Sequence, residues 1–437
     1  MNVKVNRVGV ALLLQAFFLP WLAFIVLRYL GPVTYPSVDG FSFLFLAIFM
    51  LPFFLLLPFL LVSKKVVVRE VSGVWVSNPL AEGRGFSVVI LLVFIYFFAV
   101  VLDKIVLSNV LTVGITEARY AAMVDGPRGS LLGAVHYLLA GAPVLLACLL
   151  LSRSRWQKGG VLEFCLWVLV VVCFASFFLS GGRNSYVVGV VFILFYFSLE
   201  KKRSVGGEGS EGGRNLRFPL WIKVFSVFGF FYVLYIFVER AEIRGTNLEG
   251  AVFALAKNYN VDVVVPEWIP GAFLQIYYCF LFLVFYVTHS LSYLSSYFEL
   301  GYSPNIGGGY SFSVVFRIID VLFGTSYVPD ALDQLIIPGV YLTLPGTMYV
   351  DFGLFGAFLA GILLAFLSLV YVSRALRRGG WSLLAGAYLL TLLALSPIFS
   401  ITNVGNGFST LMIIIFLSFW NRRRSLSRSS ARLLVSD

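Results

Sequence analysis

Apolar runs separated by short polar connections follow one another from Val8 to Trp420. A helix that crosses a bilayer needs about 20 mainly apolar residues. Such runs fall at about 8–30, 41–62, 87–107, 131–151, 161–180, 185–199, 219–238, 351–373, 381–398 and 405–420. The pattern predicts an all-α polytopic membrane protein of about ten to twelve transmembrane helices, a single integral membrane domain over 1–437. The first run follows Lys4 and Arg7 as a signal sequence would, but it is long and has no small-x-small cleavage site, so it is expected to remain as the first span.

Between 239 and 350 the simple spanning pattern gives way to a loop region expected to contain short helices. Within it, 272–287 is apolar enough to span. One extra crossing would break the alternation of charge described next, so the segment lies in the interface, re-enters, or pairs with a second weak crossing near Ser311 to Phe323.

Composition supports lipid as the solvent: 60% of residues are hydrophobic and 12% charged, against roughly 25% charged in soluble domains. A net charge of +11 would suggest nucleic acid in a soluble protein, but here its placement encodes orientation. Basic clusters at Lys64–Arg84, Arg153–Lys158, Lys201–Arg217 and Arg374–Arg378 occupy alternate connections, and five more arginines crowd the tail. The positive-inside rule makes these cytoplasmic, together with both termini, and puts 239–350 outside. Nine basic residues escape the rule: Arg28, Lys104, Arg119, Arg128, Arg183, Arg240, Arg244, Lys257 and Arg317. The Gly, Ser and Glu-rich stretch 204–213 reads as a flexible linker. The four cysteines sit in apolar segments without CxxC spacing, which implies neither a disulfide framework nor a zinc site.

Candidate chemistry concentrates on the outer segments. Arg183 stands in the glycine turn of LSGGRNSY, where a guanidinium and free amides could grip phosphate; the bland alternative is an arginine snorkelling to headgroups. Arg240 and Arg244 share a helical face beside Glu239 and Glu242, as a salt-bridged surface helix also would. Arg317 lies three residues before Asp320 in an apolar segment, as a structural ion pair or as a phosphate ligand with an oriented carboxylate. Tyr286, His289, Tyr293 and Tyr297 recur at helical spacing, a face on which sugars could stack and where His289 could take a hydroxyl proton. An interfacial aromatic belt gives the same pattern. His136 could face the same cavity, but more readily bridges neighbouring helices. No close acidic pair of metal-site type appears outside, so arginines rather than a metal are expected to offset phosphate charge, with no cofactor.

The stretch 343–371, TLPGTMYVDFGLFGAFLAGILLAFLSLVY, resembles the hallmark of O-antigen (Wzy-type) and related oligosaccharide repeat-unit polymerases through Tyr349, Asp351, Phe352, Gly353, Gly356 and Gly361. The turn GGR at 181–183 is similar to that family's glycine-arginine turn. The resemblance covers roughly half of the chain. It implies a bacterial inner-membrane glycosyltransferase acting on undecaprenyl-pyrophosphate-linked glycans, with membrane lipid around it, a chain-length regulator and a flippase as pathway partners, and no nucleic acid. On that reading Arg183, Arg240, Arg244 and Arg317 are expected to bind pyrophosphate and Tyr286, Tyr293 and Tyr297 the sugar. The catalytic base is expected to be His289, then Asp351, Asp320 or Glu242, although Asp351 could instead cap its helix. Rival readings are an O-antigen ligase, a lipid-linked oligosaccharide flippase or transporter, and a non-catalytic scaffold. The glycines are expected to serve close helix packing.

Overall fold

The computed structural model describes residues 7–62, 84–107, 131–153, 160–179, 183–205, 220–243, 246–327, 333–336 and 341–433. Each of the ten apolar ranges is occupied by helix. In chain order these are α1 (Arg7–Leu30), α2 (Gly40–Phe54) with α3 (Pro58–Val62), α4 (Arg84–Val100), α5 (Leu131–Leu139) with α6 (Ala142–Arg153), α7 (Val161–Leu179), α8 (Arg183–Val205) and α9 (Leu220–Ile243). The region after α9 holds α10 (Leu248–Asn258), α11 (Gly271–Thr288), α12 (Ser290–Glu299) and α13 (Ser313–Phe323), and the chain finishes with α14 (Leu344–Arg378), α15 (Trp381–Leu395) and α16 (Gly405–Leu433). Among the described residues, seven helical stretches are long and apolar enough to cross a membrane: Arg7–Leu30, Gly40–Leu60, Gly85–Lys104, Leu132–Ser152, Asn184–Arg203, Gly271–Thr288 and Leu344–Arg377. The basic connections at 63–83, 154–159 and 206–219 fall outside the described residues.

Two hydrophobic clusters organise the chain. The larger is centred on α15, whose Leu383, Leu384, Ala387, Leu390 and Leu393 are buried on nearly all sides between α14, α8, α1 and α16. Lipid tails are as apolar as leucine, so close approach rather than water exclusion favours such packing. Gly361 shows it: a Cβ there would lie 3.1 Å from the Phe49 carbonyl of α2. Large side chains such as Leu22, Phe228 and Phe366 point outward, each more than half exposed, as a lipid-facing surface requires.

The smaller cluster joins Val33, Ala241, Leu248, Val252, Val261, Tyr278 and Phe285 at the end of the bundle where α1 stops, here called the distal end. A two-residue ribbon pairs Val33 with Val263 and Thr34 with Asp262. Helix α11 is fastened to this ribbon at two points: the Tyr277 hydroxyl donates to Val264 O (2.8 Å), and the Tyr35 and Thr288 hydroxyls lie 2.7 Å apart. Those attachment points are about 16 Å apart along the helix, and Val264 N is itself bound to Pro32 O. Helix α11 therefore lies alongside residues 32–35 and Val264. Of the three alternatives for 272–287, pairing with a second crossing near Ser311 to Phe323 is not supported, because α13 has 11 residues, about 16 Å of helix against a hydrocarbon core of about 30 Å.

Candidate functional site at the distal end

Asp351 shows how this end is assembled. Thr343 caps α14, its hydroxyl accepting from Gly346 N (3.1 Å), so Asp351 is not the helix cap. Its carboxylate reaches back to the preceding loop, where Oδ1 accepts from Tyr310 N (2.9 Å) and Oδ2 from Ser311 N (2.6 Å). Its carbonyl accepts from Gly307 N, and Val350 O from Ile306 N. Gly353 then interrupts α14 with φ 68°, and a Cβ there would meet Asn305 Oδ1 at 2.9 Å. The glycine is required because the backbone is left-handed where the loop lies against it, rather than for helix packing. Asp351 is buried and organises the loop.

His289 sits between α11 and α12 and is buried. Its Nδ1 is 3.0 Å from Phe285 O; a carbonyl only accepts, so Nδ1 carries the proton and Nε2 keeps the lone pair. Burial pushes its pKa down to about 4, with Arg28 acting in the same direction and hydrogen bonds to the Phe285 and Tyr286 backbone opposing it. The ring stacks on Phe285 and meets Tyr286 edge-on at 5.8 Å. Tyr286 continues to Tyr341 (6.0 Å). The expected four-residue face is split into two pairs, because Tyr293 and Tyr297 contact each other, with hydroxyls 3.1 Å apart. Tyr297 also accepts from Ile336 N and stacks on Tyr302. Both rings are buried and offer no open face to a sugar, whereas Tyr286 is half-buried.

Asp320 holds the turn after α13, its Oδ1 accepting from Tyr327 N (2.9 Å) and the Thr325 hydroxyl (2.5 Å), with Gly324 left-handed at φ 66°. Arg317, on the same helix, is exposed. Arg183 begins α8, and Asn406 Nδ2 donates to the nearby Ser185 O. Arg240 lies near the end of α9, whose Ala241 packs in the distal cluster. Both backbones thus reach the same end as His289, but the side chains of Arg183, Arg240 and Glu242, and Arg244 entirely, lie outside what is described. His136 bridges helices: its Nδ1 is 3.6 Å from Asp103 Oδ2, which Lys104 Nζ approaches at 3.0 Å.

Arg28, in the last turn of α1, was passed over among the nine exceptional basic residues. Its Nη1 donates to Thr288 O (3.0 Å) and Nη2 to Ser292 Oγ (2.8 Å), and the guanidinium lies 4.2 Å from the Tyr35 ring centroid. It is 3% exposed. The available signal was its position: an arginine at the non-basic end of a span. Its partners are 260 residues or more away, beyond any local pattern.

The helices define an all-α, multi-pass membrane protein, with a buried layer of tyrosine, histidine, arginine and aspartate at one end. No family model, no curated protein and no solved structure matches the chain.

Proposed function

We propose that the chain is a lipid-linked oligosaccharide repeat-unit polymerase of the bacterial inner membrane. On this reading both termini are cytoplasmic and the distal end faces the periplasm. The observation that carries it is a convergence at that end. Tyr349, Asp351 and Gly353, from the stretch that resembles such polymerases, fasten the loop 301–312 beside a layer containing His289, Tyr286 and Tyr341.

The reaction joins an acceptor sugar hydroxyl to the anomeric carbon of the growing chain. The bond from that carbon to pyrophosphate breaks, and its electron pair leaves with undecaprenyl pyrophosphate. The hydroxyl proton goes to His289 Nε2. A base held near 4 accepts it late, once bond formation has made the hydroxyl acidic. Tyr286, Arg183, Arg240, Arg244 and Arg317 are the remaining candidates for sugar and pyrophosphate contacts, and no metal is invoked.

The test is complementation of a polymerase-deficient strain supplied with the native repeat unit. A restored glycan ladder with wild type, reduced to single units by His289→Ala at equal membrane abundance, is expected. No ladder with wild type would overturn the reading.

A further inference from the structure

A second feature lies away from the distal end, on the flank of the bundle. Helix α6 packs against both α4 and α7, which scarcely meet each other. Between α4 and α7 this leaves a groove of about 390 Å³. Ile90, Phe94 and Phe97 form one wall at helical spacing, and Leu162, Cys165 and Val172 belong to the other. Phe94, Leu162 and Val172 are exposed, so the groove opens sideways, where a spanning helix meets lipid.

The two ends of the groove differ. Toward the distal end α4 and α7 are tied together, with the Tyr96 and Ser176 hydroxyls 2.8 Å apart and Phe177 against the Tyr96 ring. From there the groove runs back to Leu162, the second residue of α7. That end is the basic one. Helix α4 begins there at Arg84 and α6 finishes there at Arg153. A Cβ on Gly85 would lie 3.4 Å from the Trp381 ring, and Trp381 closely follows Arg374 and Arg377 of α14.

Dimensions and charge identify the occupant. Leu162 to Val172 is about 15 Å of helix, half of a hydrocarbon core of about 30 Å, so the groove is one leaflet deep. Spread over that length, about 390 Å³ gives a mean cross-section of about 26 Å², a third of that of an α-helix about 10 Å across. A helix from a second copy or another protein is too thick to enter, whereas a single hydrocarbon chain fits. A chain entering from the basic end keeps its headgroup at the level of the cations, and basic sites between helices on the cytoplasmic side select anionic headgroups.

We infer that the groove between α4 and α7 binds one acyl chain of an anionic phospholipid of the cytoplasmic leaflet, of the phosphatidylglycerol type. The inference needs the basic end to be cytoplasmic but goes beyond the polymerase reading and does not depend on it. The lipid fills space that the protein leaves between two helices and braces them below the Tyr96–Ser176 tie.

The test uses the full chain in phosphatidylcholine nanodiscs doped with phosphatidylglycerol whose tail bears a photoreactive diazirine, with adducts mapped by mass spectrometry. Wild type should gather adducts on α4 and α7 well above those on the lipid-facing side of α1 around Leu22, and the same tail on phosphatidylcholine should label the groove less. Cys165→Trp fills the groove at an exposed position and should remove the excess. Ile95→Trp, on another exposed face of α4, should leave it. Arg153→Gln should cut the preference for phosphatidylglycerol about fivefold. Adducts spread evenly over the lipid-facing helices, or an excess that survives Cys165→Trp, overturn the site. Equal labelling by the two headgroups overturns the anionic lipid. A disulfide between two copies through Cys165, with no lipid adducts in the groove, assigns this face to a dimer and overturns the lipid. The wild-type map decides the matter by itself should Cys165→Trp not fold.

Discussion

Asp351 and Arg28 are both buried charges at the distal end, and they are treated in opposite ways. The carboxylate of Asp351 has an amide on each oxygen. Arg28 has the Thr288 carbonyl, the Ser292 and Tyr29 hydroxyls and the face of Tyr35, with its Nε left unbonded. A charge fully supplied with hydrogen bonds is a fixture of the fold, because its removal strands each partner. A charge only partly supplied is held at a cost to the fold. The difference separates a carboxylate with every oxygen bonded from a cation with a donor to spare.

The largest effect that would test this contrast is Asp351→Ala. Two buried amides lose their acceptor at about 1–3 kcal/mol each, so roughly 2–6 kcal/mol of stability should go, read as a lower unfolding midpoint in detergent and faster proteolysis within 301–312. A change below about 1 kcal/mol would return Asp351 to the catalytic candidates.

Acidity probes the neighbour of Arg28. The folded protein holds His289 near 4 against an ordinary 6.5, so it favours the neutral ring and the unfolded chain binds the proton first. The stability this contributes is complete above 6.5 and lost as pH falls from there toward 4, by at most about 3 kcal/mol. His289→Phe should flatten the stability profile in that window, and an unchanged profile would mean the ring is not buried as described.

Smallest should be the stability change of Arg28→Gln. Its hydrogen bonds are lost together with an unneutralised charge, so the net shift should stay within about 1 kcal/mol. A loss comparable to that of Asp351→Ala would make Arg28 a structural pin and erase the contrast.

The positions of the spans were legible because a bilayer leaves the backbone no partner but itself, which forces long continuous apolar helices. The ranges 8–30 and 405–420, for example, became α1 and the apolar part of α16. Helix α11 could not be placed that way. Its composition suits a span, and only its bonds to Val264 and Tyr35 set its course. Site residues divided similarly. The stretch Tyr349 to Gly353 and the position of His289 were visible as motif and spacing, but whether a tyrosine faces sugar or core depends on what packs over it, as buried Tyr297 and half-buried Tyr286 show.

From the sequence alone came a membrane bundle, the region where its polarity gathers, and a short set of residues able to do chemistry there. The tertiary structure alone decided which of those charges are spoken for. Helical periodicity reports neighbours within a turn or two, whereas Asp351 is matched by amides about 40 residues away and Arg28 by groups 260 and 264 residues away. Whether a buried charge is satisfied depends on those distant partners, and chain folding alone brings them together.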